Sequence, residues 1–116
     1  MDTWRIMTKV TLEQWRVLQT VIDEGSFAKA AIKLHKSQSN ISYTVAKLQE
    51  MLGMQLLQLD GRKAVLTEQG VDILKLSRQI TRAAKNVEIA ALNLKSPYEK
   101  SLRLAIDEIF PASVLM

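Results

Sequence analysis

The chain has 116 residues, 47% of them hydrophobic, and a formal net charge of +4. That is enough apolar material for the core of one small domain with appendages, which excludes wholesale disorder. The absence of cysteine excludes a disulfide, a thiolate zinc site or a thiol nucleophile; no apolar run approaches the roughly 18 residues of a membrane span; and a sequence pI of about 9.5 fits a nucleic-acid partner.

Residues 1–10 have no clear period, and Asp2, Arg5 and Lys9 break any signal-peptide core. A loose arm or a short helical extension is expected there, on a cytoplasmic protein without a membrane partner. Thr11 then reads as the N-cap of a helix to Glu24, with Leu12, Trp15, Leu18, Val21 and Ile22 inward. Gly25 stops it, because glycine takes the left-handed conformation at little cost.

Two short helical patterns follow back to back. Phe27, Ala30, Ala31 and Leu34 form one apolar face, and Ile41, Val45, Leu48 and Leu52 form the next. Ser26 and Ser37 each precede a pattern and can cap it with the hydroxyl oxygen. Only His35 and Lys36 lie between, so the helices must cross steeply, as in a helix-turn-helix. Burying Ile41, Val45, Leu48 and Leu52 leaves Gln38, Ser39, Ser42, Tyr43, Ala46 and Lys47 outside, a slim polar surface suited to base edges in the DNA major groove. Residues 25–49 contain no Asp or Glu but four lysines, Lys29, Lys33, Lys36 and Lys47, which suggests a surface that meets phosphate. The alternative is an ordinary helical hairpin with a lysine-rich exposed face.

Gly53 ends the second of these helices. In 54–67, Asp60-Gly61 is a tight-turn signal between apolar-rich arms, and a two-stranded hairpin is expected with Arg62 and Lys63 near its tip. After a helix-turn-helix, such a hairpin reads as a wing along the DNA backbone; taken alone, it fits a plain surface β-turn equally well. Thr67 can cap a long helix to Leu94. Ile73, Leu76, Ile80, Ala83, Val87, Ala90 and Leu94 recur at alternating spacings of 3 and 4, a heptad seam. The seam is either core packing within one subunit or, because little chain remains to cover it, a dimer interface. Ser96-Pro97 stops the helix, and 101–106 alternates polar and apolar residues like a strand entering a sheet. One strand cannot bury itself, so a larger domain is expected to begin there and the chain to be a fragment.

Taken together, Thr11-Leu-Glu-Gln, Glu24-Gly-Ser-Phe27, Ala30-Ala31, Leu34-His35, Ser37-Gln38, Ser42, Leu48, Leu52-Gly53, Leu56 and Leu66-Thr67-Glu-Gln-Gly70 resemble the N-terminal part of LysR-type transcriptional regulators over about residues 9–116. The resemblance implies a mainly α chain: a winged helix-turn-helix over 9–67, a dimerising linker helix over 68–95, and over 100–116 the first strand of a truncated α/β effector domain. It further implies bacterial gene regulation by a homodimer or tetramer that binds an interrupted palindrome in double-stranded DNA and is tuned by a small-molecule co-inducer on the missing domain. Ser26, Lys29, Lys33, His35, Lys36, Ser37, Gln38, Ser39, Asn40, Ser42, Tyr43 and Lys47 are then the candidate DNA-binding residues, with Arg62 and Lys63 on the wing. His35 would sit at the turn near the backbone, or be a routine surface histidine. The chain departs from the family at Ser39, where proline is common, at Tyr43, where a basic residue is common, and at Gln49, where an acid follows the leucine. Leu57 and Leu59 stand where Phe-x-Arg is favoured, so Arg62 or Lys63 would have to supply the wing's hold on phosphate.

Three functions compete: a sequence-specific DNA-binding regulator, a helical protein-interaction module built on the heptad seam, and an enzyme. No metal-ligand cluster or phosphate-cradling glycine loop supports the third, and no cofactor is expected. The acid-free stretch favours the first over the second.

Overall fold

Three hydroxyl side chains start three helices in the computed structural model, which describes residues 9–95 together with Ile106, Glu108 and Ile109. Helix α1 spans Leu12–Glu24 and opens on a reciprocal cap. Thr11 Oγ1 accepts from the Gln14 N–H at 3.2 Å, while Gln14 Oε1 accepts from the Thr11 N–H at 2.8 Å. Ser26 Oγ accepts from Lys29 N–H at 3.1 Å to open α2 (Phe27–Leu34), and Ser37 Oγ accepts from Asn40 N–H at 3.1 Å to open α3 (Gln38–Leu52). The connection between α2 and α3 turns on His35, held at φ 56° in the left-handed region with its N–H directed to helix carbonyls behind it. A glycine would be the usual choice there; the exposed histidine takes that conformation with its N–H on the Ala31 and Ile32 carbonyls.

The core gathers Val17, Leu18 and Val21 from α1, Ala30 and Ala31 from α2, and Ile41, Val45 and Leu48 from α3. Leu12, expected inward, is exposed instead. At about 100° per residue it is rotated by about 120° from Leu18, and Val17 takes the place that the sequence pattern had assigned to it. Trp15 and Ile22 flank the core half-buried.

The hairpin pairs β1 (Leu57–Asp60) with β2 (Lys63–Leu66) in antiparallel register, Leu57 opposite Leu66 and Asp60 opposite Lys63. Two contacts fasten it to the helices. The Ala64 N–H donates to the Gly25 carbonyl at 2.9 Å. Gln49 Oε1, on the last turns of α3, accepts from Leu56 N–H at 2.7 Å and Leu57 N–H at 3.2 Å. Gln49 therefore satisfies two backbone donors at the root of the wing. Gln49→Leu should strand both and lower stability by about 2 kcal/mol, whereas Gln49→Glu keeps the acceptor and should lose little. Urea unfolding of the two variants checks this.

Helix α4 spans Glu68–Leu94. Thr67 Oγ1 accepts from Gly70 N–H at 3.0 Å and donates to the Gln55 carbonyl at 2.8 Å, so the expected cap also ties the helix start to the hairpin. The described residues through Arg78 belong to one compact unit, and α4 continues from Gln79 in a second. Within the first unit the buried row on α4 is Gly70, Leu74 and Ser77. Ile73, assigned to the seam, is half-buried against the core. The rest of the stripe stands roughly 125° around the helix from that row, with Leu76, Ile80, Ala83, Val87 and Leu94 exposed and Ala90 half-exposed. The arm at 1–8 lies outside the described residues. So does the strand expected over 101–106, except for Ile106, which is helical.

Candidate nucleic-acid interface

Burial of Ile41, Val45 and Leu48 sets the phase of α3, and its opposite face carries Gln38, Ser39, Ser42, Tyr43, Ala46 and Lys47, all exposed as the spacing predicts. Tyr43 is the one large ring on this face of α3, at 69% exposure. Asn40 is also exposed, and the Ser39 hydroxyl lies 3.2 Å from that of Ser37, within the cap's hydrogen bonding. The face offers donors and acceptors on short side chains, with one cation at its far end. Such groups can pair with base edges without the reach and entropy of long chains.

The fastening of β2 to Gly25 brings the wing beside the start of α2. Lys29, Gln38, Leu59, Arg62 and Lys63, with one acid, Glu24, are among the residues that line an open groove of about 860 Å³. Residues from three separate elements thus converge where the first turns of α2 and α3 meet the wing tip. Leu59 is the unexpected member. It shares the inner face of the hairpin with Leu57, Ala64 and Leu66, but cover runs out toward the turn and leaves it exposed.

The candidate cations divide. Lys29, Lys33, Arg62 and Lys63 are exposed and make no ion pair with a described residue. Lys36 Nζ stands 2.9 Å from Glu13 Oε1 on α1, and Lys47 Nζ is 3.9 Å from Glu50 Oε1. The stretch free of acids in sequence is therefore not free of them in space. Glu13 lies outside it but is folded back onto the turn, which periodicity along the chain could not reveal. His35 is exposed at the same turn. Among the described residues no group of three or more His, Asp or Glu could hold a metal ion, and no helix is long and apolar enough to cross a membrane.

Residues 12–71 match the model of the bacterial regulatory helix-turn-helix protein, lysR family. The chain belongs to the LysR family. Its LysR-type relatives include the uncharacterized HTH-type transcriptional regulator YeeY of Escherichia coli K12, 36% identical over 107 residues, which are 92% of this chain and 35% of that protein. The RuBisCO operon transcriptional regulator of Allochromatium vinosum is 35% identical over 97 residues, 84% of this chain and 32% of the relative. The chain thus spans about a third of the length of the curated LysR relatives it matches. Among solved structures, the BenM DBD in its catB site 1 DNA complex superposes with a TM-score of 0.71 at 28% identity, covering 75% of this chain and 94% of that one. The elements read from the sequence as a winged helix-turn-helix and a long following helix are those of LysR DNA-binding domains.

Proposed function

We infer that this chain is the DNA-reading and dimerising end of a LysR-type transcriptional regulator. In this reading α3 enters the major groove, the start of α2 and the wing rest on the flanking phosphates, and α4 pairs with α4 of a second copy. The observation that carries the reading is the junction of two surfaces: the polar outer face of α3 and the groove that brings Lys29, Gln38, Arg62 and Lys63 together. A helix that reads bases needs backbone contacts beside it to fix its register. The DNA complex of the BenM DBD supports the same use of this fold. Pairing of two chains along α4 gives two-fold symmetry, and an interrupted palindrome is the matching target. Control by a small molecule on a domain beyond α4, and assembly into tetramers in the cytoplasm, complete the proposal on the family resemblance.

Tyr43 tests the reading role of α3. It is exposed opposite the buried ridge and makes no hydrogen bond with a described residue. Tyr43→Ala should reduce discrimination between a selected duplex and random duplex by about 1–3 kcal/mol while leaving affinity for random DNA nearly constant. Equal weakening on both duplexes would remove Tyr43 from sequence reading. Arg62 and Lys63 test the wing. Replacing both by alanine should lower the magnitude of the log–log salt slope by about 0.9 for each phosphate that the wing no longer neutralises, and an unchanged slope would exclude the wing as a backbone clamp.

A further inference from the structure

The root of α4 is held to α1 by two side-chain links one turn apart. Gln19 Nε2 donates to Ser77 Oγ at 3.1 Å, and Ser77, 1% exposed, donates its own hydroxyl proton to the Leu74 carbonyl at 2.7 Å. One turn further along α1, Asp23 receives both guanidinium nitrogens of Arg78, at 2.7 and 3.3 Å. The four residues are an i, i+4 pair on α1 facing adjacent positions on α4, and all lie within the first compact unit. Neither link is part of the apolar core, to which this helix contributes Leu74 and, half-buried beside it, Ile73. The Thr67 ties and the apolar contacts of Ile73 and Leu74 hold the start of α4 against the hairpin and the core, but apolar contacts are not directional and leave its tilt against α1 less closely set. The two polar links, one of them a two-pronged Arg–carboxylate pair of fixed geometry, narrow that tilt.

The length of α4 makes that freedom matter. From Arg78 to Leu94 the helix continues without a break for about 24 Å at about 1.5 Å per residue. About 10° of play at the root would shift its far end by about 4 Å, more than the roughly 3.4 Å between base pairs. We propose that Gln19–Ser77 and Asp23–Arg78 are positioning pairs that fix the reading head on its long helix, and so set the half-site spacing that the paired protein accepts. The inference rests on the reading of the chain as a DNA-binding dimer. These residues touch no base or phosphate in it; they decide where the second recognition helix falls once the first is seated.

The test uses duplexes selected by the protein from a random pool, rebuilt with the half-site separation changed by one or two base pairs in either direction, beside a duplex with a single half-site. The unaltered protein should lose at least about fivefold in affinity per base pair of misplacement. Ser77→Ala with Arg78→Met should flatten that profile to under about twofold and leave single half-site affinity unchanged, since α3 and the wing are untouched. Asp23→Asn, a change on an exposed side chain, should flatten it part-way and covers the case in which the double variant does not fold. Exchanging the charges, Asp23→Arg with Arg78→Asp, should restore a narrow profile. A profile in Asp23→Asn and the double variant as steep as in the parent overturns the proposal while leaving the DNA-binding reading intact. A parent that prefers no selected duplex over random DNA overturns the reading and the proposal together.

Discussion

Gly70→Ala should cost the domain about 3 kcal/mol of stability, although alanine is the better helix former by about 1 kcal/mol. Gly70 is buried in the first turn of α4, where the helix crosses the strand-side backbone at Leu56. A methyl group on it would overlap the Leu56 carbonyl oxygen and stand 2.8 Å from the carbonyl carbon. Both are main-chain atoms, so no side chain can swing aside. The same stretch of backbone is fixed from two other directions: Gln49 Oε1 accepts from the Leu56 N–H, and the Leu56 carbonyl accepts from the Thr67 N–H at 3.0 Å. Relief must come from moving α4 off the hairpin, which breaks the Thr67 ties and opens the core at Leu74. The favourable helix propensity is the smaller quantity, and the net sign is destabilising. Chemical unfolding measures it; a midpoint equal to that of the parent would show that α4 can shift at this point at no cost.

Ile80→Lys should convert a paired chain into a monomer at micromolar concentration, and Val87→Lys should do the same. Both side chains stand on the stripe of α4 that the chain's own core leaves uncovered, at 49% and 60% exposure, with Leu76 and Leu94 also exposed on either side. Such a stripe in water is unfavourable by about 25 cal/mol for each Å² of apolar surface that a partner would cover. A lysine at Ile80 brings a like charge from each chain toward the two-fold axis, where little water remains to screen it. The variant should keep the circular dichroism of the parent, because the stripe is not part of the core gathered around Leu18, Ile41 and Leu48. Sedimentation is the measurement. A folded Ile80→Lys protein that stays dimeric would move the interface away from this seam.

The two predictions differ in how far the sequence foretold them. Every cap was legible, because a capping serine or threonine acts on an N–H three residues ahead and leaves its mark in a short window. Thr11, Ser26, Ser37 and Thr67 all stand where the apolar patterns begin. The outward face of α3 was legible for the same reason: Ile41, Val45 and Leu48 set its phase. The inward face of α4 was not. Its buried row is a glycine, a leucine and a serine, which no hydrophobic period singles out, whereas the conspicuous heptad is the face left outside. Ile73 misled in the other direction, sitting on the seam by spacing but half-buried against the core in fact.

Pairings between distant residues were the other gap. Glu13 reaches Lys36 across 23 positions, and Asp23 meets Arg78 across 55. Both ion pairs join one side chain that reads as surface to another that also reads as surface. Only the packing of α1 against the turn and against α4 makes them neighbours. For the interface, this separates the cations. Lys36 must exchange one carboxylate for a phosphate before it can hold DNA, and Lys29, Lys33, Arg62 and Lys63 face no such exchange with a described residue.

The claim that α3 and the wing form a DNA-reading surface is tested most directly by equilibrium binding of the chain to two duplexes, one selected from a random pool and one scrambled, from about 50 to 200 mM salt. The reading predicts tighter binding to the selected duplex at every salt concentration. It also predicts affinity for both falling linearly on a log–log scale, with each engaged cation adding about 0.9 to the slope. Equal affinity for the two duplexes, with no dependence on salt, would contradict it.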